Sequence, residues 1–238
     1  KIHMVLDYQG CIPYFASITD GKVHESKIAK TLQFPTGSVV VFDRAYVDYK
    51  WLNDLDSKEI YFVTRAKENM DYHVTHTKEC NLSKGFISDE HIKLAGYKAK
   101  SDHPYTLRRV TFQDPVTQKT LVFLTNNTHW SAETVAELYK ERWNIEVFFK
   151  YIKTHLRIKS FVGTSENAVK IQIWTSLIAI LLLKVLQNQA KYKWHLSNLV
   201  GALRLHLFAK LNLQEFLNCP YKKQDFFKDE DIQLSLFT

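Results

Sequence analysis

The segment Ser38-Val-Val-Val-Phe42 limits the possible folds more than any other part of the chain. Its apolar residues run without alternation, which suits a strand covered on both faces in a sheet clothed by helices. Ile60-Tyr-Phe-Val-Thr64 repeats the pattern, and between the two Asp48 can cap a helix through Leu55. Upstream, Lys1-Ile-His-Met-Val-Leu-Asp7 and Cys11-Ile-Pro-Tyr-Phe-Ala-Ser-Ile18 are β-rich runs joined by Tyr8-Gln-Gly10, a hairpin signal. Asp20-Gly21 marks a turn and residues 24–32 a short helix. The order strand, strand, helix, strand, helix, strand predicts a mixed sheet with helices on its faces.

The pattern then changes twice. Residues 67–127 lack helical periodicity and hold strand-like runs at 105–112 and 120–125, with Asp114-Pro115 as the turn between them. They read as a β-rich insertion lying outside the main sheet. Helical periodicity returns at 131–156, 165–189 and 197–210, and the end of the chain, 219–238, is expected to be loosely held. The organisation expected is a first core part (1–66), the insertion (67–127), a helical completion of the core (128–190) and a carboxy-terminal helical segment with a tail (191–238).

Composition narrows the function classes. With 7 Gly and 5 Pro in 238 residues, the chain is neither collagen-like nor low in complexity. Three cysteines cannot build a disulfide framework, and an odd count fits a reducing, cytoplasmic compartment. The chain opens on Lys1 with no signal peptide after it, as expected of a piece of a longer protein. A net charge of +7 makes nucleic acid the leading partner class, with surplus surface lysine as the plain alternative. The apolar run 171–186 falls short of the ~20 residues that span a bilayer, so a buried helix is expected there and no membrane partner.

The chemistry concentrates in Tyr139-Lys-Glu-Arg142-Trp-Asn-Ile-Glu146-Val-Phe-Phe-Lys-Tyr-Ile-Lys153. On one continuous helix, Tyr139, Arg142, Glu146 and Lys153 fall within a sector of roughly 60°. Leu138, Ile145, Phe149 and Ile152 flank that stripe and would anchor it. The same spacing also suits an ordinary solvated face. Asp43 follows a buried strand, where open α/β sheets bind their ligands, although an Asp there also forms turns. Metal-assisted phosphoryl transfer needs such carboxylates from separate elements converging on one phosphate.

Tyr139-x2-Arg142-x3-Glu146-x6-Lys153 resembles the carboxy-terminal signature of DDE transposases of bacterial insertion sequences, in the insertion-sequence-4 family. Phe42-Asp43-Arg44-Ala45-Tyr46 is similar to that family's motif around its second catalytic Asp, and Lys1-Ile-His3 and Thr19-Asp-Gly-Lys-Val-His24-Glu to its early strands and turn. The resemblance implies an α/β, RNase H-like mixed sheet flanked by helices, with a β-rich insertion before the catalytic Glu helix. It implies DNA strand cleavage and transfer at transposon ends with Mg²⁺ or Mn²⁺, on double-stranded DNA, by a homodimer on paired ends in the bacterial cytoplasm at the nucleoid. Asp43 and Glu146 match two of the three metal-binding carboxylates. Tyr139, Arg142 and Lys153 match positions that hold the phosphates of the transposon end. Transposases of this type flip a base onto an aromatic; Trp130 is the candidate here, with a packing role as the alternative. The family's first Asp belongs to a strand before Lys1-Ile-His3, so the resemblance implies a site one carboxylate short and little or no activity in this chain.

Two rivals stand beside this reading: a non-catalytic DNA-binding module on the same fold, and a metal-dependent nuclease. Among weaker signals, His73-x2-His76-x3-Cys80 has metal-like spacing without a fourth ligand. His3 and His24 read as structural. Lys93, Lys98, Lys100, Arg108 and Arg109 could track a DNA backbone or form a solvated face.

Overall fold

The computed structural model describes residues 1–8, 11–155, 163, 165–206 and 208–222. Its order is β1 (Ile2–Asp7), β2 (Ile12–Ile18), α1 (Glu25–Ala29), β3 (Val39–Phe42), α2 (Tyr49–Ser57), β4 (Tyr61–Arg65), β5 (Tyr72–Lys78), β6 (Phe86–Leu94), α3 (Tyr97–Asp102), β7 (Leu107–Gln113), β8 (Thr120–Thr125), α4 (Ala132–Glu141), α5 (Trp143–His155), α6 (Glu166–Gln189), α7 (Leu196–Leu205) and α8 (Leu213–Asn218). The chain divides into two compact units, Lys1–Met4 with Ala16–Glu146, and Val5–Phe15 with Val147–Thr238.

The first unit is built on a six-stranded mixed sheet in the order β3-β4-β8-β7-β6-β5. β3 and β4 are parallel, and every other pairing is antiparallel. The continuous apolar runs meet cover on both faces only in part: Phe42, Phe62 and Val63 are buried, whereas Val39 and Tyr61 at the strand starts are exposed and β3 is an edge strand. Phe62 packs with Phe42, Trp51, Leu52 and Leu55 under α2, whereas its neighbour Val63 points the opposite way into Val110, Phe123, Val135 and Tyr139 under α4. Asp48 caps α2 through a bond from the Trp51 amide at 3.1 Å, as its position predicts. β6 is entered through Gly85, whose φ of +87° and close approach to the Gln113 carbonyl leave no room for a side chain.

Two expectations about this sheet are corrected. The strands of 67–127 do not lie outside it: β8 pairs with β4, so β5–β8 extend the sheet itself. Polar alternation reports exposure and says nothing of which edge a strand joins. β1 and β2 in turn form a separate two-stranded sheet instead of joining β3. β1 meets the end of β3 through side chains, with buried His3 bonded to Thr19 Oγ1 at 2.9 Å and Tyr46 Oη at 3.4 Å. Residues 9 and 10 of the expected hairpin turn lie outside the described residues, as does all but the start of the tail.

Beside the strand residues of Val5–Phe15, the second unit holds helices, among them α6, capped by Ser165. Its 24 residues make it long and apolar enough to cross a membrane by length and composition. Only one face is buried, by Ile173, Ser176, Leu177 and Ile180, while Ile171, Trp174, Ile178, Leu182 and Val185 are exposed. The expectation of a buried helix therefore holds only for the stripe of these four buried residues.

Candidate active site

The parallel register carries Asp43 to its place. Phe42 pairs with Thr64 as the last rung between β3 and β4, so Asp43 and Arg65 stand together at the carboxy-terminal ends of the two strands. Asp43 has extended backbone and caps the short 3-10 turn Arg44–Tyr46, its Oδ1 accepting from the Ala45 amide at 3.1 Å. That leaves Oδ2 for a ligand. Arg44 turns outward to an ion pair with exposed Glu68.

A chain of local bonds aims α4 at the same end of the sheet. Asn127 Oδ1 accepts from the His129 and Trp130 amides at 2.9 Å, and Ser131 caps α4 through the Thr134 amide at 3.0 Å. Arg108, 1% exposed, grips Asp89 with two bonds of 2.7 and 2.6 Å and donates to the Trp130 carbonyl at 2.5 Å. Tyr139, in the last turn of α4, is buried against Phe123 with ring centroids 5.1 Å apart.

The helix expected over 131–156 is interrupted at Arg142, which caps α4 before α5 begins at Trp143. Its amide bonds to the Tyr139 carbonyl three residues back, a tightened turn. Apolar periodicity runs through this break, so the sequence shows no sign of it. Arg142 Nη2 donates to Glu146 Oε1 at 2.7 Å, and its guanidinium lies 5.6 Å from the Tyr139 ring centroid.

These charges act on one another. Burial disfavours the Arg142 cation, yet its bond to Glu146 and the charges of Tyr139, Glu146 and Asp43 outweigh that and raise its pKa. Burial pushes the Tyr139 phenol up and the Asp43 charge adds to it, while Arg142 and Arg65 pull it down. Glu146 thus bonds Arg142, the Tyr139 ring lies beside its guanidinium, and Asp43 is near enough for its charge to act on both Arg142 and Tyr139. Arg65 joins them unforeseen: it is half-buried, and its Nε has no hydrogen-bond partner among the described residues. Only the parallel register of β3 and β4 reveals its place.

The other candidates stand differently. Lys153 is exposed on α5, seven residues beyond Glu146. Trp130 packs on Tyr61 with ring centroids 5.5 Å apart, ahead of the Ser131 cap and thus at the opposite end of α4 from Tyr139. The exposed indole beside Arg142 is Trp143. Of the basic cluster, Arg108 is buried in its pair with Asp89, and Arg109 bonds Glu90 at 3.0 Å beneath Tyr72, so neither is free for DNA. Lys93, Lys98 and Lys100 are exposed. His73 faces solvent, His76 meets His91, and the Cys80 thiol donates to the Phe86 carbonyl. Among the described residues no group of three or more His, Cys, Asp or Glu side chains converges.

The transposase DDE domain family matches residues 1–182. A Sinorhizobium fredii protein named as a transposase is 35% identical over 189 residues, covering 78% of this chain and 52% of the relative. A Geobacillus stearothermophilus protein named as a transposase for insertion sequence element IS5377 is 30% identical over 199 residues, covering 83% and 52%. A Synechocystis protein named for element IS4SA is 29% identical over 184 residues, covering 74% and 48%. The chain spans about half the length of these curated relatives. With a mixed sheet flanked by helices, as the resemblance implied, and with a family match over three quarters of its length, the chain belongs to the transposase DDE domain family.

Proposed function

We propose that this end of the sheet is a phosphoryl-transfer centre that cleaves and joins DNA strands at transposon ends. The observation that carries the reading is the Arg142–Glu146 bond of 2.7 Å beside the Tyr139 ring, with Asp43 near enough for its charge to act on Arg142. Asp43 and Glu146 offer hard carboxylate oxygens, the donor type that suits Mg²⁺ or Mn²⁺. When bound, the cation activates a water or 3′-hydroxyl and neutralises charge on the phosphate. Arg142, Arg65 and the Tyr139 hydroxyl hold the scissile strand's phosphates, exposed Trp143 offers a face for a displaced base, and Lys153 is a DNA-phosphate contact by the family motif alone. Trp130 is kept for packing. The substrate is double-stranded DNA, held by two copies on paired ends in the bacterial cytoplasm.

Asp43 and Glu146 are the two carboxylates that this reading assigns to the cation. The net charge of +7 also favours a second reading, a DNA-binding module without catalysis. The test is strand transfer by the full-length protein on DNA with terminal inverted repeats. Asp43→Asn and Glu146→Gln abolish joined products while DNA binding persists. Cleavage without joining would mark a nuclease, and unchanged joining in both variants would refute the assignment.

A further inference from the structure

Arg142 and Glu146 face different ligands in the reading above, yet in this structure they hold each other. Arg142 Nη2 donates to Glu146 Oε1 at 2.7 Å. The grip is one-sided: the arginine side chain is 20% exposed and the carboxylate 42%, and Arg142 Nε is buried without a partner among the described residues. The guanidinium is thus fixed in place by its surroundings but only partly satisfied by Glu146. The Arg108–Asp89 pair in the same unit shows the contrast, with two bonds and both partners enclosed.

We infer that Arg142 masks Glu146 until DNA arrives, so that DNA binding and cation binding assist each other. A backbone phosphate can take the guanidinium with two bonds where Glu146 takes one, and this releases Oε1. A cation that takes both Glu146 oxygens displaces Arg142 from Oε1, and one that takes Oε2 alone meets the repulsion of the guanidinium held beside it. Each ligand thereby removes the group that blocks the other, and the coupling is reciprocal by thermodynamic linkage. The masking needs no movement of the sheet, since both side chains lie one helical turn apart at the α4–α5 junction. It rests on the reading of this site as a DNA and metal centre, and the test separates the two.

The test is metal-free binding of a short mixed-sequence duplex, in EDTA at low salt, by the wild-type chain and four variants whose folding is checked by circular dichroism. Arg142→Ala weakens binding roughly tenfold, as expected for lost charged hydrogen bonds. Glu146→Gln tightens it by about two- to fivefold, because the guanidinium is released. Asp43→Asn removes the same charge from the same site without touching Arg142, and its gain is smaller. Arg142→Ala/Glu146→Gln binds no better than Arg142→Ala. Equal gains from Glu146→Gln and Asp43→Asn, or a Glu146→Gln gain that survives without Arg142, would reduce the effect to general charge and overturn the masking. An unchanged affinity in Arg142→Ala would instead remove the DNA site itself.

Discussion

Two arginine–carboxylate pairs in the first unit use the same chemistry for opposite ends. Arg108 and Asp89 join neighbouring strands, are 2% and 4% exposed, and share two bonds. Arg142 and Glu146 sit at a helix junction, with side chains 20% and 42% exposed, and share one bond. The enclosed pair also ties the β8–α4 connection through the Trp130 carbonyl, so it aims the helix that carries Tyr139 toward Asp43. A charge that cannot reach water is a fixture of the fold. One that can exchange its partner is available to a ligand.

The comparison makes predictions of decreasing size. Asp89→Ala strands the buried Arg108 cation and should cost about 3–5 kcal/mol in urea unfolding. A loss below 1 kcal/mol would mean that water reaches the pair. The double replacement Arg108→Met/Asp89→Leu should recover most of that loss, since an apolar pair of similar volume needs no solvation. If it unfolds as readily as Asp89→Ala, the bond to the Trp130 carbonyl is the dominant element. Ser131→Ala removes the α4 cap and should cost about 1 kcal/mol, read from the same titration. Glu146→Gln should leave the midpoint within about 0.5 kcal/mol of the wild type, because the pair it breaks is solvated. A larger loss would show that Glu146 belongs to the scaffold.

Much of this was legible in the residue order. The burial of Phe42, Phe62 and Val63 shows as unbroken apolar runs, and the caps Asp48, Ser131 and Ser165 lie within three residues of the amides they satisfy. Asp43 and Glu146 are legible as motif residues, because the spacing that forms the motif is local. Local forces act between near neighbours, and near neighbours are what a sequence displays.

What the tertiary structure decided is non-local. Whether 67–127 stands apart or extends the sheet depends on β8 finding β4, whose paired residues Val63 and Thr125 are far apart in the chain. Arg108 looked like a DNA-tracking cation until Asp89, nineteen residues away, enclosed it. Arg65 enters the site only because β3 and β4 are parallel and in register. The break at Arg142, where apolar periodicity continues unchanged, turns an expected stripe into a junction at which one guanidinium reaches Glu146. In each case the residue's chemistry was set by its side chain, but its solvent and its partner were set by segments that only folding brings together.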